Sequence, residues 1–227
     1  MIAILGAMNE EITPILERVG EYKTINYANN SFYKANYKGK DLIIAYSKIG
    51  KVNSSLTATL LIEKFGAKTL LFSGVAGALN ENLKIGELIY ATSLAQHDLD
   101  ITAFGHPYGY VPGVEIFAKT DEGLNALALK IAQKRGLKLT GGIIATGDQF
   151  VCSSEKKSWI KAMFKADAVE MEGASVAQVC AQLNVPFFVL RAISDEANGS
   201  AEFDFDEFLH SSAKISADFV LEMVENL

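Results

Sequence analysis

The chain has 227 residues, 49% of them hydrophobic, and a formal net charge of −6; that length buries one sizeable core, and the acidic balance with dispersed Lys and Arg excludes a phosphate-tracking nucleic-acid surface. Two cysteines (Cys152, Cys180) without a CxxC, and three histidines (His97, His106, His210) without HExxH or HxH spacing, give no reason to expect a disulfide scaffold or a metal site. No apolar run reaches the ~18 residues of a membrane span and the start MIAILGAMNEE lacks a basic n-region, so a cytoplasmic protein of one domain, residues 1–227, is expected.

Residues 2–5 are an all-apolar run ending at Gly6, the pattern of a buried strand. From Glu10, Ile12, Ile15, Leu16 and Val19 recur at helical spacing and stop near Gly20. Residues 32–38 and 41–47 are β-rich runs around Gly39-Lys40, a hairpin pattern. An amphipathic helix over 52–65 is closed by Gly66. The run 68–73 predicts a strand that opens into a loop, Gly74-Val75-Ala76-Gly77-Ala78. Residues 86–94 are β-rich, and 101–117 are irregular and aromatic. A helix over 121–135 takes Thr120 as its N-cap and Gly136 past its end. Then come a strand (141–146), a helix (154–164), a short apolar strand running into Glu170, a helix of small residues (171–183), a strand (186–193) and a closing helix (205–227). The alternation predicts a three-layer α/β/α fold around a central mixed sheet.

Ligands in open α/β sheets bind beyond the carboxyl ends of strands. Five such exits carry chemistry-bearing residues. Glu10 and Glu11 open a helix, where acids also suit the helix dipole. The GVAGA stretch lacks the Lys-Ser/Thr of a P-loop and the glycine spacing of a dinucleotide turn. Glu170 and Glu172 follow an apolar strand, and buried acids need partners; Arg191, inside another apolar strand, is the candidate, as a structural ion pair or as part of a site. Asp195 follows that strand after Ser194, in a position that a turn cap also fills. Acids gathered at strand exits drive each other's pKa values apart, so one stays protonated while another is ionised. Phe150 is placed to stack on a flat ligand, and Phe104-Gly105-His106-Pro107-Tyr108 reads as a lid or a subunit contact.

The stretches GAMNEE, SGVAG, ATGDQFV, AVEMEGAS and LRAISD, in this order from Gly6 to Asp195, resemble those of the 5′-methylthioadenosine/S-adenosylhomocysteine nucleosidases of the nucleoside phosphorylase superfamily. The resemblance implies that superfamily's phosphorylase/hydrolase fold and a homodimer. It makes Glu11 the water-activating base and Asp195 the acid that protonates the purine. Met171 and Glu172 fall at the ribose, with Glu170 and Ser194 in the same binding stretches. Phe150 falls on the adenine face and the Val151 backbone on its edge. Met8 and Ile49 line the sugar end, and Arg191 orients the acids. Phe205 falls at the 5′ end with Phe203, and Phe104 and Pro112 are contributed by a partner subunit. Many members carry serine where this chain has Val75; the N–H groups of Ala76 and Gly77 remain available.

The implied reaction is hydrolysis of the N-glycosidic bond of a 5′-substituted adenosine. It needs an acid for the leaving base and a base for water on the opposite face, and no metal or organic cofactor. A phosphorylase of the same fold would need cations for phosphate, and Arg18 and Arg135 are badly placed for it. A non-catalytic nucleoside-binding domain would not need both Glu11 and Asp195. The sequence leaves the 5′ substituent open among 5′-methylthioadenosine, S-adenosylhomocysteine, 5′-deoxyadenosine and 6-amino-6-deoxyfutalosine.

Overall fold

The computed structural model describes residues 1–197 and 201–227. Its strands are β1 (Ile2–Gly6), β2 (Tyr22–Tyr27), β3 (Asn30–Tyr37), β4 (Lys40–Tyr46), β5 (Thr69–Ala78), β6 (Leu88–Gln96), β7 (Ala118–Lys119), β8 (Leu139–Thr146), β9 (Ala168–Glu170) and β10 (Phe187–Asp195). Helices α1 (Asn9–Val19), α2 (Lys51–Thr59), α3 (Glu122–Arg135), α4 (Ser154–Phe164), α5 (Gly173–Gln182) and α6 (Ala201–Asn226) lie between and after them. Among the described residues no helix is long and apolar enough to cross a membrane.

The central strands are apolar throughout because both of their faces are covered. Successive side chains point to opposite faces. Leu70 and Phe72 of β5, with Val189 of β10, therefore join the core under α2 and α5. Leu71 of β5 and Phe188 and Leu190 of β10 join the core under α1, α3 and α6. This is the expected three-layer arrangement around a mixed sheet. The strands β4, β1, β5 and β10 run parallel, β6 runs against β10, and β8 and β9 follow β6. Antiparallel β2 and β3 extend the sheet beyond β4.

Strand β5 organises the cavity. One of its edges is held by β10 from Leu70 to Gly77. The other is shared: β1 pairs up to Phe72, and β9 pairs at Gly77 and Ala78. Between them a stretch of β5 edge is left without a strand neighbour.

Several boundaries differ from the sequence reading, and the largest difference is instructive. GVAGA is not a loop but the second half of β5. Its glycines serve close approach: a Cβ on Gly74 would lie 2.6 Å from Glu11 Oε1, and one on Gly77 would lie 2.7 Å from Asp195 Oδ1. Asp195 is likewise the last residue of β10, not a residue beyond it. The polar strand β2 had too little apolar pattern to be seen; its pairing with β3 makes it a strand. The β3–β4 turn is Lys38-Gly39, one residue earlier than expected, with both at positive φ. Asp121, not Thr120, caps α3, its carboxylate accepting the Leu124 N–H. Helix α5 starts at Gly173, after the EME stretch, and α6 starts at Ala201 rather than Phe205. Helix α2 ends in a π-turn, Leu60–Lys64.

Candidate active site

A cavity of about 300 Å³ opens where β1 and β9 part along β5. Of the residues singled out from the sequence, Met8, Glu11, Ile49, Val75, Ala76, Gly77, Phe150, Val151, Glu170, Met171, Glu172, Ser194, Asp195 and Phe205 line it. Ala7, Gln149 and Val169 line it too and were missed. Ala7 and Val169 are ordinary core types; Gln149 stood beside Phe150, so its position in the same loop was the available signal.

Glu11 is the third residue of α1, where its carboxylate reaches back to the helix start, as in a capping box. Oε2 accepts the N–H groups of Ala7 (2.5 Å) and Met8 (3.0 Å), and Oε1 accepts the Val75 N–H (3.0 Å) from the open edge of β5. The helix-end role and the cavity position thus coexist in one side chain. Burial raises its pKa above the ordinary glutamate value, against the opposing pull of Arg191 and the three N–H groups.

Glu170 and Glu172 are two residues apart, and their environments differ. Glu170 is buried and its carboxylate is fully engaged. It accepts hydrogen bonds from the Thr146 hydroxyl, from the N–H groups of Glu172 and Gly173 at 3.1 and 2.7 Å, and from Arg191 Nη2 at 2.7 Å. Arg191, 1% exposed, lies behind the cavity wall with its guanidinium over the Phe72 ring and is not a lining residue. The ion pair between them is real, and it spends the cation. Glu172 has no such partner: its Oε1 accepts the Gly50 N–H at 2.8 Å. Burial first, then the charge of Glu170, pushes the Glu172 carboxyl up to about 8.

Asp195, at the end of β10, lines the same cavity. Its Oδ1 accepts the Ala197 N–H at 2.8 Å and its Oδ2 the Ser194 hydroxyl at 2.9 Å. Burial raises its pKa above the ordinary aspartate value; those two bonds oppose the shift and Asp204 adds to it. Phe150 and Phe205 form the aromatic rim, ring centroids 5.6 Å apart at 80°. Phe150 is 40% exposed. That leaves an apolar chamber lined by four carboxyl residues, of which Glu170 is already paired with Arg191, with no Lys or Arg among the described lining residues and an open aromatic face.

Residues 1–225 match the family model described as the Phosphorylase superfamily. The chain belongs to that superfamily. It is 65% identical to the aminodeoxyfutalosine nucleosidase of Campylobacter jejuni, over 100% of this chain and 99% of that one. It is 41% identical to a Staphylococcus epidermidis 5′-methylthioadenosine/S-adenosylhomocysteine nucleosidase, with 100% of both chains covered. Among solved structures, a Helicobacter pylori 5′-methylthioadenosine/S-adenosyl homocysteine nucleosidase matches with a TM-score of 0.99 and 54% identity, over 100% of this chain and 98% of that one. That protein is complexed with a pyrrolidinol carrying an aminopyrrolopyrimidine and a propynylthiomethyl arm.

Within this phosphorylase-superfamily fold, two of the arginines lie away from the cavity. Arg18 pairs with Asp218 at 3.0 Å and Arg135 with Glu222 at 3.4 Å, and both line a separate groove. Phe104, 80% exposed, and Pro112 are outside the cavity lining of this chain.

Proposed function

We propose that the cavity hydrolyses the N-glycosidic bond of 5′-substituted adenosines, with Asp195 as general acid, Glu11 as general base and Glu172 as the ribose-binding carboxylate. The observation that carries this reading is the set of three carboxyl groups outside the Glu170–Arg191 pair, in three different environments, opening into one apolar chamber. Asp195, with its raised pKa, holds the proton that a departing adenine takes up at N7. Glu11, its pKa raised by burial toward the working range of a general base and its carboxylate held in place by three N–H groups, accepts the proton of the attacking water. Glu172 bonds the ribose hydroxyls, and the positive charge that develops on the sugar as the bond lengthens draws its raised-pKa carboxyl toward the ionised form, which offsets that charge. The acid and the base act on opposite faces of the sugar, the logic of inverting glycoside hydrolysis.

Phosphate is disfavoured as the nucleophile because Glu11 puts a carboxyl group in the cavity wall and Arg191 is already paired with Glu170. Phe150 supplies the stacking face for the base. Glu170 and Arg191 hold the Glu172 turn and do not themselves bind the substrate. The exposed Phe104 and Pro112 suit a homodimer in which a second copy walls the 5′ end. The relatives bring both 5′-methylthioadenosine and 6-amino-6-deoxyfutalosine into the substrate range to test. The deciding experiment is base release from each nucleoside with and without phosphate. Release in phosphate-free buffer, giving the free sugar, is expected; release only with phosphate, giving a sugar 1-phosphate, would overturn hydrolysis.

A further inference from the structure

The loop carrying Phe150 and the turn that bonds Glu172 come from different parts of the chain. Phe150 follows β8, while Ile49, Gly50 and Lys51 follow β4. A closed cycle of polar contacts joins them through a third segment, the end of β6. The Lys51 N–H donates to Asp148 Oδ1 at 2.8 Å. The Asp148 N–H donates to Asp98 Oδ2 at 2.8 Å. The other Asp98 oxygen, Oδ1, accepts from Lys51 Nζ at 2.6 Å, which returns the cycle to its start.

The cycle is more than a surface ion pair. Lys51 and Asp98 side chains are 19% and 13% exposed, and Lys51 Nζ also reaches Gln96 Oε1 at 3.2 Å. The neighbouring His97 N–H donates to Thr146 O at 2.8 Å, anchoring the base of the same loop. A charged pair out of bulk water holds geometry better than an exposed one. Its two outputs both reach the cavity. One is Gly50, at φ 97, whose N–H is presented to Glu172 Oε1. The other is Asp148, two residues before the stacking ring.

We propose that Asp98 and Lys51 are positioning residues: the Lys51–Asp98–Asp148 cycle fixes the distance between the base-stacking loop and the Gly50 N–H that orients Glu172. The inference rests on the nucleosidase reading, since it matters only if base and ribose are held together. No member of the cycle is among the cavity-lining residues, so any effect on ligand affinity must pass through Gly50 and the 147–151 loop.

The test is a double-mutant cycle read in binding, so that it does not depend on turnover. Dissociation constants of a C-nucleoside analogue of adenosine, whose carbon–carbon glycosidic link is not hydrolysed, are measured by calorimetry for the wild type, Asp98→Asn, Glu172→Ala (which removes the acceptor of the Gly50 N–H) and the double variant. The expected result is about a tenfold loss for Asp98→Asn alone and less than about a twofold further loss when it is added to Glu172→Ala. Equal losses in both backgrounds would mean a merely structural role and overturn the proposal, as would unchanged affinity in Asp98→Asn. Should Asp98→Asn prove too unstable to titrate, Lys51→Met, which keeps its backbone N–H, replaces it in the same cycle, with Lys51→Arg expected to restore affinity. A wild type that binds the analogue but releases no base from any of the nucleosides would count against the function and leave the positioning result standing.

Discussion

Two concave regions of this molecule are built from acids and differ in how those acids are matched. At the far ends of α1, α3 and α6 a groove of about 450 Å³ is lined by Arg18, Tyr37, Lys134, Arg135, Asp218, Glu222 and Glu225, among others. There Asp218 faces Arg18, Glu222 faces Arg135, and Glu225 accepts from the Tyr37 hydroxyl at 3.0 Å. The cavity beside β5 is smaller, about 300 Å³, with Glu11, Glu172, Asp195 and the Arg191-paired Glu170 in an apolar wall and no cation among its described lining residues. Volume therefore does not mark the chemistry. Unmatched acids held out of water do, because their protonation is set by the cavity and is open to change by a ligand.

The sharpest way to break this comparison is at Asp195. Asp195→Asn keeps the shape and, through its amide oxygen, the bond from the Ala197 N–H, but holds no acidic proton. We expect turnover to fall by about two to four orders of magnitude while the C-nucleoside analogue binds within about threefold of wild type. Equal loss of rate and of affinity would remove Asp195 from the acid role.

A smaller effect is expected on stability, and its sign is specific to the cavity. The Glu172 carboxyl is raised to about 8 in the folded chain from an ordinary 4.5. Between those values the native state keeps a proton that the unfolded chain has released, so stability falls as pH rises through that window. Gln cannot ionise and escapes the loss. Glu172→Gln should melt at least about 3 °C above wild type at pH 8, the shift that about 1 kcal/mol gives in a chain of this size. Near pH 4.5 the difference should vanish. A constant offset across pH would show that the mutation acts through packing instead.

The smallest effect belongs to the matched groove. Asp218→Ala removes a partly exposed pair and should cost at most about 1 kcal/mol, seen as a small change in denaturant midpoint, with kcat unchanged. A large loss of activity there would mean the two regions are coupled and the contrast is false.

Much of the cavity was legible in the chain before folding, and the reason is local. Glu11, Glu172 and Asp195 each sit at or next to a strand end or helix start, and the apolar runs that place them are contiguous in sequence. The helix expected over 154–164 has those bounds in the structure, where the Ser153 side chain caps its start by accepting the Lys156 N–H. Polar β2 was invisible because its strand character comes from pairing with β3. Thr120 was mistaken for the α3 cap because its neighbour Asp121 is also a capping type, and only backbone geometry chooses between them.

The sequence by itself determined which residues are apolar, at what period, and where the acids fall between them; that was enough for the layered mixed sheet and for most of the cavity wall. Tertiary structure alone decided the rest. It made GVAGA a strand, since the glycines answer to Glu11 and Asp195, which are far away in sequence. It divided two glutamates of one tripeptide into a satisfied ion pair and a raised-pKa carboxyl, because Arg191 reaches only the first. It also joined Lys51, Asp98 and Asp148 into one cycle. The physical reason is common to all three. Period and propensity act over a few residues, whereas burial, close approach and charge pairing depend on which distant segments the fold brings within a few ångströms.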